Sequence, residues 1–308
     1  MSVFEGQQVA IGELPEALAI LWRHVEESDQ TRPLARTLTM NFVGVTDAAG
    51  EERLRAAVDR LLVRHPCRAF LVVLDDRASA LSATLSARTL DARNNRQTVL
   101  EQIVLRAPER DLPKLPGVFL PLLVNDIPTH LYWALPLPAD TAQLTSLAHV
   151  ADQTVVNSAL FADLERDCAR LAGTDLHTVD LVQFRLHPWR RALAEAFERF
   201  DWRAEVPTRA RIEHAASAAA AARRLAAWLG ERLQATTEIA TVTEVCDAPP
   251  CDPCRLQVEH GEVRVVVQRT RDRSRLSVAV TRADVCLLPF EVPASRGQDG
   301  DLLAAAFD

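Results

Sequence analysis

The sequence predicts a two-domain α/β protein, an N-terminal βαβ-type layered domain over residues 1–178 followed by a smaller α/β domain over residues 179–308 that ends in an antiparallel meander. Three observations predict it. Apolar runs of strand length alternate with amphipathic helical segments through the first half of the chain, as in a layered fold whose helices cover a sheet. Strand, helix and strand follow one another within about forty residues, enough for a βαβ unit. Towards the end, "CRLQVEHGEVRVVVQRT" and "RLSVAVTRADVCLLPF" alternate or run apolar around Gly261 and the charged turn "RDRSR", which reads as neighbouring antiparallel strands.

The elements follow in order. Glu13–Glu27 carries Leu14, Leu18, Leu21, Trp22 and Val25 at helical spacing, with Pro15 near the first turn, where a missing amide hydrogen is tolerated. The polar stretch Ser28–Leu34, with Pro33, ends that helix. Thr37–Val45 is β-rich and mostly apolar, as a buried strand is. Glu51–Arg64 presents Leu54, Val58, Leu61 and Leu62 on one helical face and stops at His65-Pro66. Cys67–Asp76, "CRAFLVVLDD", is an unbroken apolar run, the pattern of an interior strand in a parallel sheet. "ALSATLSART" and "QTVLEQIVLRA" read as strands, Leu115–Val124 as a short buried helix or turn, and "PTHLYWALP" as a further strand. Leu144–Asp152 is expected to be helical, "QTVVNSAL" extended and Ala162–Leu171 helical. From about residue 205 the strand "TRARIEHA" leads into an Ala-rich helix, Ala215–Leu233, with Leu225, Trp228, Leu229 and Leu233 on one stripe.

Composition narrows the function. The 308 residues are 48% hydrophobic and 25% charged, a balance that suits a soluble globular protein with one or two cores. A net charge of −7 argues against the strongly basic face of a DNA or RNA binder. The longest apolar candidate for a membrane span, Leu115–Val124, is short and broken by Pro116 and Pro121. The amino terminus has an acid where a secretion signal is basic, so a cytoplasmic location is expected. There the six cysteines are expected to be mostly reduced.

Motifs for catalysis are sought next. The ten glycines never form G-x-G-x-x-G or a phosphate loop, and neither G-x-S-x-G nor H-E-x-x-H occurs, so no cofactor is expected by these routes. Cys251 and Cys254 stand in C-x-x-C spacing within "PPCDPC", with Cys246 five residues before. Three readings stay open for them: a plain loop or core role, a redox disulfide, or zinc ligation with His260 as a further ligand. Cys67, Cys168 and Cys286 fall on apolar faces and read as small hydrophobes. Cys67 is flanked by His65 and Arg68, the arrangement that would stabilise a thiolate, but a packed core thiol is the stronger reading. If the chain were an α/β enzyme or a binder of a sugar phosphate or nucleotide, its site would lie at strand carboxyl ends, near Asp75 and Asn125-Asp126. In "FRLHPWRRALAEAF", Pro188 fits the first position of a helix. Trp189, Leu193 and Phe197 then repeat every four residues along one face, leaving Arg190 and Arg191 mainly off it.

Taken in order, "RTLTMNFVGV", "HPCRAFLVVL", "LLVNDIPTHLYWALPLP", "ADQTVVNSALFADL" and "RLHPWRRALAEAFE" resemble the glucose-6-phosphate dehydrogenase assembly protein family, known as OpcA. The resemblance runs from about Arg36 to about Arg199, with Tyr132-Trp133 where the family commonly has a Trp pair and His187 where it usually has Thr. It implies a non-catalytic protein that binds glucose-6-phosphate dehydrogenase, assists its oligomeric assembly and raises its activity, supporting NADPH production in the oxidative pentose phosphate pathway. Redox regulation through such a protein is a property of some family members, and the resemblance does not extend it to Cys246, Cys251 or Cys254. A protein that works by contact uses aromatic and arginine anchors, so Trp133, Trp189, Arg190 and Arg191 are the expected partner-binding residues, with no nucleic acid and no membrane partner.

Overall fold

The computed structural model describes residues 2–28, 34–35, 38–92, 96–200, 206–242, 252–283, 285–294 and 298–308. The chain divides into two compact units, residues 1–179 with 307–308, and residues 180–306.

The first unit is built on β1 (Ser2–Val9), α1 (Leu14–Ser28), β2 (Leu34–Ala35), β3 (Met40–Asp47), α2 (Glu51–Arg64), β4 (Cys67–Leu74), β5 (Ser82–Ala92) and β6 (Arg96–Ala107). It continues through α3 (Leu115–Phe119), β7 (Thr129–Trp133), α4 (Ala142–Ala148), β8 (Gln153–Val156), α5 (Leu164–Ala172) and β9 (Thr178–Asp180). Its nine-stranded sheet runs β1-β5-β6-β4-β3-β7-β8-β9, with β2 beside β6. The central run β6-β4-β3-β7-β8 is parallel throughout, while β5 pairs antiparallel to β6, and β1 to β5. The expected βαβ unit is therefore β3-α2-β4, and Cys67–Leu74 is an interior parallel strand as its composition required. Thr37, the start of the expected first strand, lies outside the described residues.

Both faces of this sheet are covered, which is why β3 and β4 are buried over almost their whole length. On one face Leu14, Leu18 and Trp22 of α1 join Val43, Val45, Phe70, Val72 and Ile103 in a single apolar cluster. On the other, Leu54 of α2 lies over Gly44, where an added Cβ would come within 2.9 Å of the leucine. Gly44 is thus the residue that lets helix and strand approach closely.

The second unit contains α6 (Leu181–Phe197), β10 (Thr208–His214), α7 (Ala219–Leu233), β11 (Thr236–Thr241), β12 (Pro253–His260), β13 (Val263–Arg269), β14 (Arg275–Arg282), β15 (Val285–Cys286), β16 (Phe290–Pro293) and α8 (Asp299–Phe307). The seven strands run β11-β10-β12-β13-β14-β15, with β16 also on β14. β12, β13 and β14 form the predicted antiparallel meander. α6 and α7 pack against each other and against this sheet. β10, β12 and β13 accordingly alternate buried and more exposed residues.

One sequence expectation is overturned. The helix holding "HPWRR" does not begin at Pro188; it begins at Leu181, where the Asp180 carboxylate accepts from the Val182 amide at 3.1 Å. Pro188 sits inside α6 and removes one hydrogen bond to the preceding turn. Leu181, Val182, Leu186, Trp189 and Leu193 are all buried, and that continuous apolar stripe holds the helix together across the proline.

A buried ion pair ties the first unit together. Arg68 of β4 and Glu101 of β6 are direct partners in the parallel register. Arg68 Nε donates to Glu101 Oε2, Trp22 Nε1 donates to Glu101 Oε1, and Arg68 Nη1 donates to the Leu122 carbonyl. Glu101→Gln leaves a buried arginine without its counter-charge, and we expect it to cost about 3–5 kcal/mol of unfolding free energy. Replacing both residues by apolar ones of similar size should cost much less. Denaturant melts of the two variants check this; a single variant within about 1 kcal/mol of the parent would show that the pair is dispensable.

Candidate functional site

The strand order reverses at β3, with β4 and β6 on one side and β7 and β8 on the other. In a doubly wound sheet the carboxyl ends of the strands beside such a reversal form the ligand crevice. Here a cleft of 270 Å³ opens at that position, lined by Asp47 at the end of β3, Asp76 after β4, Trp133 at the end of β7, and Leu135 and Pro136 beyond it. Trp133 is buried and donates its indole N–H to the Pro136 carbonyl at 3.0 Å, fixing one wall.

The β3–α2 turn is where a nucleotide-binding fold of this layout presents its phosphate site. Its Gly50 does approach closely, since an added Cβ would meet Thr46 Oγ1 at 2.2 Å. The surrounding chemistry is acidic. Asp47 Oδ1 accepts from the Gly50 amide at 2.8 Å, and the first turn of α2 carries Glu51 and Glu52. Glu51 accepts from Arg55 at 2.8 Å and from Arg106 at 2.5 Å, and Arg106 also reaches Asp75 at 3.3 Å. Partial burial works to raise the Glu51 pKa, but the two guanidinium hydrogen bonds outweigh it and hold the carboxyl below its ordinary range. The positive end of the α2 dipole is therefore answered by the chain's own carboxylates, and an incoming phosphate meets negative charge.

The remaining sequence-predicted sites are scattered. Asp75 lies at the carboxyl end of β4, but Asn125-Asp126 precedes β7 at the opposite edge of the sheet, where Asn41 at the start of β3 binds the Val124 amide at 2.9 Å. The structure does not bring these acids together. Cys67 is buried and its thiol pushed far up by desolvation, while Arg68 is committed to Glu101, so no thiolate is stabilised there. Cys254 is disulfide-bonded, a state in which its sulfur is neither zinc ligand nor nucleophile. Cys246 and Cys251 lie outside the described residues. His260 is buried with Nδ1 2.9 Å from Thr208 Oγ1. Among the described residues no group of three or more His, Cys, Asp or Glu is arranged to hold a metal ion, and no helix is long and apolar enough to cross a membrane.

The expected contact residues separate by exposure. Trp133 and Trp189 are buried, so neither ring presents surface to a partner in this fold. Arg191 is exposed and pairs with Glu195 at 2.7 Å. Arg190 is half-buried: it donates to the Gln183 side chain and lies 5.5 Å from the centre of the Trp228 ring. Gln183 and Trp228 were not singled out by the sequence as site residues. The spacing Asp180-x-x-Gln183, a capping-box pattern, was the available signal.

Fold and crevice define a class: a doubly wound α/β protein, extended by an antiparallel-sheet unit, whose β3–α2 turn is acidic rather than glycine-rich. Residues 58–173 match the family described as "Glucose-6-phosphate dehydrogenase subunit N-terminal domain" and residues 177–308 its C-terminal counterpart. The chain belongs to the OpcA family of glucose-6-phosphate dehydrogenase assembly proteins. It is 27% identical over 186 residues to OxPP cycle proteins OpcA of Synechocystis sp. and Nostoc punctiforme. The alignments cover 58% and 57% of this chain and 39% and 40% of those relatives, so the chain matches about two fifths of their length. Among solved structures, a 3-ketoreductase from Actinomadura kijaniata superposes with a TM-score of 0.48 at 12% identity, over 86% of this chain and 88% of that one. No activity is transferred by a likeness at that level.

Two outcomes follow from the geometry. Neither NADP⁺ nor glucose 6-phosphate should raise the melting temperature of the isolated chain, because a ligand that binds only the folded state must raise it; a clear dose-dependent rise would restore the crevice as a phosphate-ligand site. Among the free cysteines of the described residues, exposed Cys286 should be alkylated by iodoacetamide in the native state and buried Cys67 only after unfolding. Peptide mass spectrometry reads both, and native labelling of Cys67 would show that the β4 core opens.

Proposed function

We propose that this chain is a non-catalytic assembly factor and allosteric activator of glucose-6-phosphate dehydrogenase, acting in the cytoplasm to support NADPH production by the oxidative pentose phosphate pathway. The observation that carries the reading is the pair of family matches, which together take in most of both units. The acidic β3–α2 turn supports it independently, because the position at which this layout would hold a nucleotide phosphate is lined by Asp47, Glu51 and Glu52.

The mechanism is differential binding. A protein that binds the active oligomer of an enzyme more tightly than its inactive form shifts the population towards activity, by no more than its difference in affinity for the two. Such a protein needs complementary surface rather than tuned acids and bases. Redox control enters this reading through Cys254, which is disulfide-bonded and stands two residues after the buried Asp252. A second reading, a binder of a sugar phosphate or nucleotide, draws on the 270 Å³ cleft, and its acidic lining speaks against a phosphorylated ligand.

The test uses the purified chain and purified dehydrogenase, under reducing and oxidising conditions. The chain alone is expected to show no dehydrogenase activity, to co-elute with the enzyme in size exclusion, and to shift the enzyme's substrate response. Separate elution together with unchanged kinetics in both redox conditions would end the proposal.

A further inference from the structure

Arg190 is a cation whose electrostatic environment is incomplete. It lies where α6 packs against α7, with its guanidinium over Trp228 and one hydrogen bond, from Nη2 to Gln183. Its Nε is buried without an acceptor among the described residues. No carboxylate of the described residues lies within ion-pair distance of it, although the acids close by are well used. Asp180 caps α6 and accepts from Arg224 of α7 at 3.0 Å, and Glu195 accepts from Arg191. Burial and the like charge of Arg224 lower the Arg190 pKa, outweighing the more favourable fields of Glu231 and Asp180.

The surroundings are those of a contact centre. Trp228 is partly exposed, and His187, Arg191 and Arg223 are exposed on the same two helices. Tryptophan and arginine are the side chains most enriched where binding energy concentrates. Arg224 is matched by Asp180 and Arg191 by Glu195, which leaves Arg190 as the half-buried cation of this contact, while the charge of exposed Arg223 is screened by solvent; one desolvated positive charge suits a monoanion rather than a phosphate dianion. It stands out on a chain whose net charge is −7.

We propose that Arg190 receives a carboxylate side chain of the partner protein, with Trp228 as the apolar wall beside it. This rests on the dehydrogenase-association reading and supplies the contact that reading lacks. An aspartate or glutamate brought against Arg190 forms a charge-assisted pair, and displacement of water from the Trp228 face strengthens it.

The experiment compares Arg190→Gln, Arg190→Lys and Arg191→Gln in the full chain, measuring affinity for the dehydrogenase at low and high salt together with the melting temperature. Arg190→Gln should weaken binding at least about tenfold and flatten its salt dependence, with the melting temperature held or raised. Arg190→Lys should recover part of the affinity. Arg191→Gln should change binding by less than about threefold, as expected for an exposed pair. Wild-type affinity in Arg190→Gln, or a loss that only accompanies unfolding, overturns the proposal while leaving the association itself standing. If the parent chain does not bind the enzyme at all, the association reading fails, and the site is decided on the chain alone by NMR of arginine Nε–H groups. A saturating shift of the Arg190 signal with acetate, not shared by Arg191, supports a carboxylate site. No shift, or much tighter binding of inorganic phosphate than of acetate, overturns it.

Discussion

The first unit is organised around one buried carboxylate, Glu101, which takes a hydrogen bond from Trp22 of α1 and another from Arg68 of β4. Because Arg68 also holds the Leu122 carbonyl, four segments distant in sequence are placed by one charge pair: the first helix, two neighbouring parallel strands, and the turn after α3. A register slip of one residue would carry Glu101 to the other face of the sheet and leave Arg68 buried with no partner. Ion pairs of this kind add little net stability over an apolar replacement; their effect is to make wrong alignments costly. The second unit repeats the device, again with a buried carboxylate at its centre. Asp252 lies between Arg185 of α6 and Arg269 of β13, and Arg185 also reaches Asp299 at 3.4 Å. Burial raises the Asp252 pKa against the pull of both arginines, so loss of either arginine would raise it further.

At the opposite edge of the first sheet the chain uses the same chemistry to the reverse effect. Arg106, Glu51, Asp75 and Arg55 form a connected ion-pair set at the ends of β4 and β6 and the start of α2. These positions sit beside the crevice that a doubly wound fold offers to ligands. The set neutralises the α2 N-terminus internally, and Asp47 with Asp76 makes the mouth acidic. The crevice that this layout offers is here lined by the chain's own acidic side chains, consistent with the rule that function belongs to the site and not to the fold.

Much of this layout was legible in the sequence. The unbroken apolar run 67–74 identified an interior parallel strand, and period-two alternation identified the meander, because in each case burial imposes a pattern that survives without tertiary context. The elements that were not anticipated lack such a pattern. β1 joins the sheet at an edge with two register shifts, and β11 is an edge strand exposed or half-exposed throughout. α6 was misplaced because Pro188 is a strong local signal for a helix start, and packing of Leu181, Val182 and Leu186 overrode it. The candidate site was the least legible part. Trp133 and Trp189 are aromatic residues in family-like segments, yet burial makes them core. Arg190 acquires its character from Trp228 and Arg224 on α7, more than thirty residues away, a proximity that no local spacing encodes.

The magnitude of activation bears on how Arg190 could act. Moving a two-state equilibrium from 1:99 to 99:1 takes about 10⁴-fold preferential binding, about 5.5 kcal/mol. A single desolvated charge pair of the kind proposed contributes on the order of 2–5 kcal/mol when one partner is removed, much of it the penalty of leaving the other unpaired. One such contact per chain therefore falls short of a full switch. In a symmetric oligomer, however, the differential free energies of several bound copies add, so modest selectivity at each protomer becomes a large bias on the assembly. On the proposed reading, Arg190 recognises one state of the partner and the number of bound copies sets the size of the response, a division of labour that suits a half-buried arginine whose Nε has no acceptor among the described residues.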